Sequence, residues 1–151
     1  MKVDDVMTRK VVTIGPSENC FEAVGRMHRA GIRHLPVVDR DERLLGIVTD
    51  RDLRHHLFSA SVFPVLSLTS LDTLLMASRV SDLMTKDVVT IGPRDSLADA
   101  AGLMMQKKIG SLPVTENGRV VGMLTETDML RLIFHADVSA QKCTEVIVSF
   151  P

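Results

Sequence analysis

A chain of 151 residues, 45% hydrophobic and 25% charged, has the composition of an ordinary globular domain, long enough to bury roughly 68–70% of its surface on folding. A formal net charge of -1 excludes a global drive toward nucleic acid or anionic membrane, so any anion site has to be local. No stretch reaches the roughly 18 apolar residues of a membrane span, Asp4 and Asp5 do not suit a secretion signal, and Cys20 and Cys143 are too few for a disulfide framework or zinc site; the expectation is a cytoplasmic protein with reduced thiols.

In chain order, Val11-Val12-Thr13-Ile14 is a β-branched run closed by Gly15-Pro16, which predicts a strand and a turn. Asn19 and Glu22 have capping-box spacing, and Phe21, Ala23, Val24 and Met27 give an apolar face to a helix reaching about Ala30, where Gly31 stops it. Leu35 to Val38, the polar turn Asp39 to Glu42, and Leu44 to Val48 predict two antiparallel strands, followed by a helix from Thr49 to about Leu57. The order then returns: strand Val88 to Ile91, helix Ser96 to Lys107, strands Leu112 to Thr115 and Val120 to Leu124, and a helix from Thr125 to about His135. Met7 to Leu53 is thus repeated from Met84 to Met129, 77 residues later, with one residue lost in the turn before Gly46 and Gly122. An internal repeat outranks other signals. Each copy alone, at under about 50 residues, is marginal, so the two are expected to share one core. The division is residues 1–57 for the first repeat, 58–79 for a helical linker, 80–135 for the second repeat, and 136–151 for a tail whose Cys143 to Phe150 alternates like an extra strand. The predicted class is α+β: two β-α-β-β-α units packed pseudo-symmetrically through their small sheets.

Leu-Pro-Val in the middle of each unit and Gly-Ile-Val-Thr-Asp-Arg-Asp-Leu at the end of the first resemble a CBS domain, and two in tandem resemble a CBS pair, or Bateman module. The linker, with Leu-Thr-Ser-Leu-Asp-Thr-Leu-Leu, is similar to that of stand-alone pairs such as the N-terminal part of acetoin-utilisation B-like proteins. The resemblance implies a non-catalytic regulatory module that binds an adenosine ligand, with AMP, ADP or ATP ahead of S-adenosylmethionine or NAD. It also implies a homodimer, with helix faces such as Phe21 to Ala30 and Leu97 to Lys107 at the interface, and an effector protein to receive the signal.

Thr49-Asp50-Arg51-Asp52 and Thr125-Glu126-Thr127-Asp128 stand where a strand gives way to a helix. Threonine followed three residues later by an acid is a variant capping box. The same helix start offers unpaired N–H groups to a phosphate, and the resemblance gives the Thr hydroxyl a phosphate or ribose contact and the Asp carboxylate the ribose hydroxyls. With no Trp or Tyr in the chain, the resemblance implies an aliphatic adenine slot: Val12, Ile14, Arg33, His34 and Pro36 in the first copy, and Val89, Ile91, Gly110, Ser111 and Pro113 in the second. The aliphatics serve equally as plain core. Arg33, His34, Arg51 and Arg54 surround the first motif where the second has Gly110, Ser111, Thr127 and Arg131, which favours the first for a polyphosphate. Adjacent His55 and His56 do not face one ligand sphere, so no metal site is expected there, and no acid-base pair or nucleophile stands out. A ligand-free interaction scaffold is the other reading, and a nucleic-acid surface built on Arg33, Arg51 and Arg54 lacks the aromatic platform and basic excess such binders use.

Overall fold

The structure, a computed structural model, describes residues 1–58 and 70–140, with side chains to residue 136. The predicted extra strand at Cys143 to Phe150 lies outside the described residues. The chain forms α1 (Cys20–Ala30), β1 (His34–Val38), β2 (Leu44–Thr49), α2 (Asp50–Leu57), α3 (Leu71–Ala77), α4 (Val80–Leu83), α5 (Leu97–Lys107), β3 (Ser111–Glu116), β4 (Arg119–Thr125) and α6 (Glu126–Ala140). The fold is α+β, with the two repeats in the same element order.

Local chemistry explains the helix limits. Asn19 Oδ1 accepts from Glu22 N–H at 2.9 Å and Ser96 Oγ from Asp99 N–H at 3.0 Å, each satisfying an orphan donor of the first turn. Gly31 ends α1 in the left-handed region at φ 64°. At the matching end of α5 the same conformation is forced on Lys108, at φ 53°, and costs roughly 1–2 kcal/mol for a residue bearing a Cβ.

One expectation needs correcting. Val11 to Ile14 and Val88 to Ile91 are not full strands: they touch the sheets through single parallel bridges, Ile14 to Val37 and Ile91 to Val114. Each regular sheet is a two-stranded antiparallel hairpin, β1 with β2 and β3 with β4. Both hairpins carry an irregularity at the same place, after Val37 and after Val114. The β-branched runs Val11–Ile14 and Val88–Ile91 have the right propensity, but only Ile14 and Ile91 pair with a strand, their N–H groups on Pro36 O and Pro113 O.

The leading segment of each repeat crosses to the other. Val3 N–H donates to Asp95 O (3.0 Å), Asp4 N–H to Pro93 O (2.9 Å) and Leu97 N–H to Met1 O (3.2 Å); reciprocally, Val80 N–H donates to Glu18 O (2.9 Å), Ser81 N–H to Pro16 O (3.0 Å) and Cys20 N–H to Ser78 O (2.8 Å). Thr8 then exchanges two 2.9 Å hydrogen bonds with Met123 on β4, and Thr85 two with Ile47 on β2. The cores follow this exchange. Val80, Leu83 and Met84 pack with Ile14, Leu35 and Val48 of the first repeat, while Val3 and Met7 pack with Ile91, Leu112 and Leu124 of the second. Such burial contributes about 1.5–3 kcal/mol per large apolar side chain.

Gly46 and Gly122 permit the crossing. A Cβ on Gly46 would lie 2.6 Å from Met84 Sδ and 2.9 Å from the Thr85 carbonyl, and one on Gly122 would collide with Met7 Sδ. Gly122→Ala is therefore expected to lower stability by about 1–3 kcal/mol through overpacking, whereas Lys108→Gly, which relieves a left-handed residue, is expected to raise it by about 1 kcal/mol. Urea denaturation of the two variants, read as shifts of the midpoint in opposite directions, checks both.

Candidate ligand clefts between the repeats

Both Thr-x-x-Asp motifs sit at a strand-to-helix junction and fold onto themselves. Thr49 closes β2 and caps α2. Its N–H and its hydroxyl each donate to Asp52 Oδ2 at 2.8 Å, and Asp52 N–H returns to Thr49 Oγ1 at 3.2 Å. Thr125 and Asp128 reproduce the three bonds at 2.9, 2.7 and 3.4 Å. The capping reading of these residues is therefore real. It leaves one carboxylate oxygen over in each motif: Asp128 Oδ1 faces Arg131 Nη1 at 3.7 Å, whereas Asp52 has no ion pair among the described residues.

The crossing decides what stands beside each motif. Thr85 is bonded to Ile47, two residues before Thr49, and Thr8 to Met123, two residues before Thr125. Each strand that ends in a Thr-x-x-Asp motif is thus bordered by the segment entering the other repeat. At the end of β1, Asp50 N–H donates to Arg33 O at 3.1 Å, and at the end of β3 Glu126 N–H donates to Gly110 O at 3.0 Å. Arg33 and His34 thus adjoin the first motif, and Gly110 and Ser111 the second. Gly110 leaves its space to Glu126, whose Oε2 would be 3.1 Å from an added Cβ.

His34 is the group here whose titration is shifted. Burial pushes its imidazole below the usual histidine range and Arg33 adds to the effect, while Asp50, Glu126 and Asp52 oppose it. The carboxylate of Glu126 belongs to the other repeat, so this position feels charge from both. Of the four basic positions around the first motif, Arg54 is committed to Asp50, with Nη2 on Oδ2 at 2.8 Å and Nε on the carbonyl at 3.3 Å. Arg33 and Arg51 are exposed and form no ion pair among the described residues. The positive field at this motif accordingly rests on fewer groups than the sequence suggests.

The slot residues divide by depth. Ile14, Pro36, Ile91, Pro113 and Ser111 are buried, and both backbone groups of Ile14 are used, its N–H on Pro36 O and its carbonyl by Val38 N–H. Val12 and Val89 are half-buried. A cavity of about 250 Å³ opens at the repeat boundary, lined by Leu44, Lys86, Val88, Thr90, Thr115 and Gly118. None of these was singled out by the motifs. Lys86, Val88 and Thr90 lie on the predicted β-branched run or just before it, and only knowledge of the crossing could have brought them to Leu44 of the first repeat. Among the described residues no cluster of His, Cys, Asp and Glu could hold a metal.

The CBS domain family model matches residues 3–59 and again residues 80–135. The chain belongs to the CBS domain family. Its two repeats form a Bateman-type pair, and solved pairs resemble it over nearly their full length. An acetoin utilization protein of Vibrio cholerae is 28% identical, with a TM-score of 0.73, 96% of this chain and 98% of that one covered. The protein CBSX2, solved in complex with AMP, is 27% identical at a TM-score of 0.71, covering 90% of this chain and 98% of that one. A CBS domain pair solved with 5′-methylthioadenosine and S-adenosyl-L-methionine is 25% identical at 0.71, with the same coverage. Some curated relatives are much longer: the chain spans 46%, 24% and 27% of three of them.

His34 also gives a pH prediction with a definite sign. Its folded pKa lies below the ordinary 6.5, so the unfolded chain binds more protons in that region; the stabilising term is fully present above about pH 6.5 and is lost as pH falls through the folded value. His34→Gln should flatten the fall in melting temperature below pH 6.5 relative to the parent. An identical pH profile for the variant would show that His34 does not carry it.

Proposed function

We propose that this CBS pair is a regulatory module that binds an adenosine nucleotide, AMP, ADP or ATP, or another adenosyl ligand such as S-adenosylmethionine or NAD, in the clefts between its repeats. It is not itself an enzyme, works in the cytoplasm as a homodimer, and passes the signal to an effector protein. The observation that carries the reading is the duplicated Thr-x-x-Asp junction, with Asp52 keeping an oxygen free for a ribose hydroxyl beside exposed Arg33 and Arg51. Related pairs solved with AMP, 5′-methylthioadenosine and S-adenosyl-L-methionine support the ligand class. Thr49 and Asp52, and Thr125 and Asp128, are the proposed ribose and phosphate contacts; Val12 and Val89 line the base slot, Ile14, Pro36, Ile91 and Pro113 set its walls from within the core, and Arg33, His34, Arg51 and Ser111 fill its polar rim. Among the described residues no helix is long and apolar enough to cross a membrane, and no membrane or nucleic-acid partner is proposed.

Dimerisation would use helix faces left open in the single chain. Phe21 and Val24 on α1 and Met105 on α5 are 41%, 39% and 79% exposed. Ligand would act by binding two dimer arrangements with different affinity, the minimum an allosteric effect requires.

The ligand-free scaffold remains a second reading because both capping boxes close without help from a ligand. Thermal unfolding against AMP, ADP, ATP, S-adenosylmethionine and NAD separates the two. A ligand at about 100 times its dissociation constant adds roughly 2.7 kcal/mol, and the shift is expected to vanish in Asp52→Asn. The variant keeps an oxygen for the cap, so its own melting point should fall little. No shift with any of the five ligands would leave the scaffold as the function.

A further inference from the structure

We propose that Arg43 and Arg119 form an anion site on the pseudo-two-fold axis of the pair, where the two hairpin turns meet, for a doubly charged oxyanion of the phosphate type. The site is separate from both Thr-x-x-Asp motifs and does not rest on the adenosyl reading.

The two arginines stand at equivalent positions of the two repeats, as Thr49 and Thr125 do. They are also directly opposed in space, joined by an antiparallel bridge. The hydrogen bonds that make the bridge lie on either side of them: Leu44 N–H donates to Gly118 O at 3.1 Å and Val120 N–H to Glu42 O at 3.2 Å. Arg43 and Arg119 are therefore a non-hydrogen-bonded pair, the arrangement in which Cα atoms come to roughly 4.5 Å and both side chains leave the same face of the ribbon. A residue that meets its own equivalent does so on the axis, so this pair marks it.

Like charges directly opposite each other are destabilising, and the chain does not offset these two. Both side chains are exposed, and neither takes part in an ion pair or side-chain hydrogen bond among the described residues. Two acids that could neutralise them are engaged elsewhere. Asp39 Oδ1 accepts the N–H groups of Asp41 and Arg43 at 2.9 Å each, and Glu116, opposite Arg119 across β3 and β4, faces Arg94 at 3.8 Å. An anion held between the two guanidinium groups removes the repulsion, and each planar fork can offer two parallel N–H donors to one oxyanion.

The surroundings add a further cation. Arg43 Nη1 lies 3.4 Å from where a Cβ on Gly118 would be, and Gly118 is one wall of the cavity of about 250 Å³ in whose lining Lys86 is the charged residue. Lys86 forms no ion pair among the described residues, whereas its equivalent in the first repeat, Arg9, is drawn to Asp4, Nη2 on Oδ1 at 2.8 Å. Two opposed guanidinium groups with a lysine in the adjoining cavity match a dianion better than a single carboxylate.

The full chain is tested with inorganic phosphate at low millimolar concentration, against sodium chloride at the same pH and ionic strength so that screening is equal. Titration calorimetry is expected to show binding that Arg43→Gln and Arg119→Gln each weaken by about tenfold, the loss of one charge-assisted contact. In chloride each single variant is expected to melt roughly 1–3 °C above the parent, because the like-charge contact is gone; this also shows that the variants are folded. Phosphate stabilises folded chains non-specifically as well, so the deciding comparison is with the Arg43→Gln/Arg119→Gln double variant. A larger phosphate increment in the melting temperature of the parent than of the double variant supports the site. Equal increments, or phosphate binding undiminished in the single variants, overturn it.

Discussion

The structure depends on how closely a crossing backbone can approach the second strand of each hairpin. At Gly46 and Gly122 the strand offers no side chain, and a methionine from the other repeat lies against the bare Cα. Any larger residue would push the leading segment away, and with it the paired hydrogen bonds of Thr85 to Ile47 and Thr8 to Met123. Those bonds in turn set which segment borders the strand that ends in each Thr-x-x-Asp motif. A packing constraint at one atom therefore determines how the two repeats are joined.

Pseudo-symmetry extends into the turns. Leu44 N–H donates to Gly118 O at 3.1 Å and Val120 N–H to Glu42 O at 3.2 Å, so the hairpin ends bridge each other across the axis. The one-residue deletion lies inside this turn and does not disturb the bridge, because Glu42 and Gly118 adopt the same left-handed conformation, at φ 61° and 78°. Symmetry holds where backbone meets backbone and fails where side chains differ. Arg26 against Leu103, Thr115 against Val38 and Glu126 against Asp50 make two equivalent frames chemically unequal.

Much of this was legible in the sequence for identifiable reasons. The repeat, the helix starts at Asn19, Thr49 and Ser96, and the stop at Gly31 are local signals, each fixed by one or two side chains. The short β-branched runs were overestimated because propensity says nothing about whether a neighbour is free to pair. Lys86 and Thr90 were missed for a different reason: no periodicity marks them, and their place beside Leu44 follows only from the exchange of segments. The basic cluster around Thr49 was visible, but not that Asp50 would claim Arg54 four residues on. Buried Cys20, its thiol pushed up to about 11 mainly by burial and further by Asp82, is the unreactive core residue that a desolvated thiol should be.

Neither repeat is closed by its own chain. Residues 1–8 complete the second unit and residues 78–85 the first, so a unit cut out alone would carry a lid that fits only a sibling and a core that lacks one. Two such fragments would satisfy each other by trading lids, which is the connectivity of a domain-swapped dimer. The present molecule is that dimer written on one thread. Joining the halves lets each mutate without changing the other, and differences such as Arg26 against Leu103 are what that freedom permits.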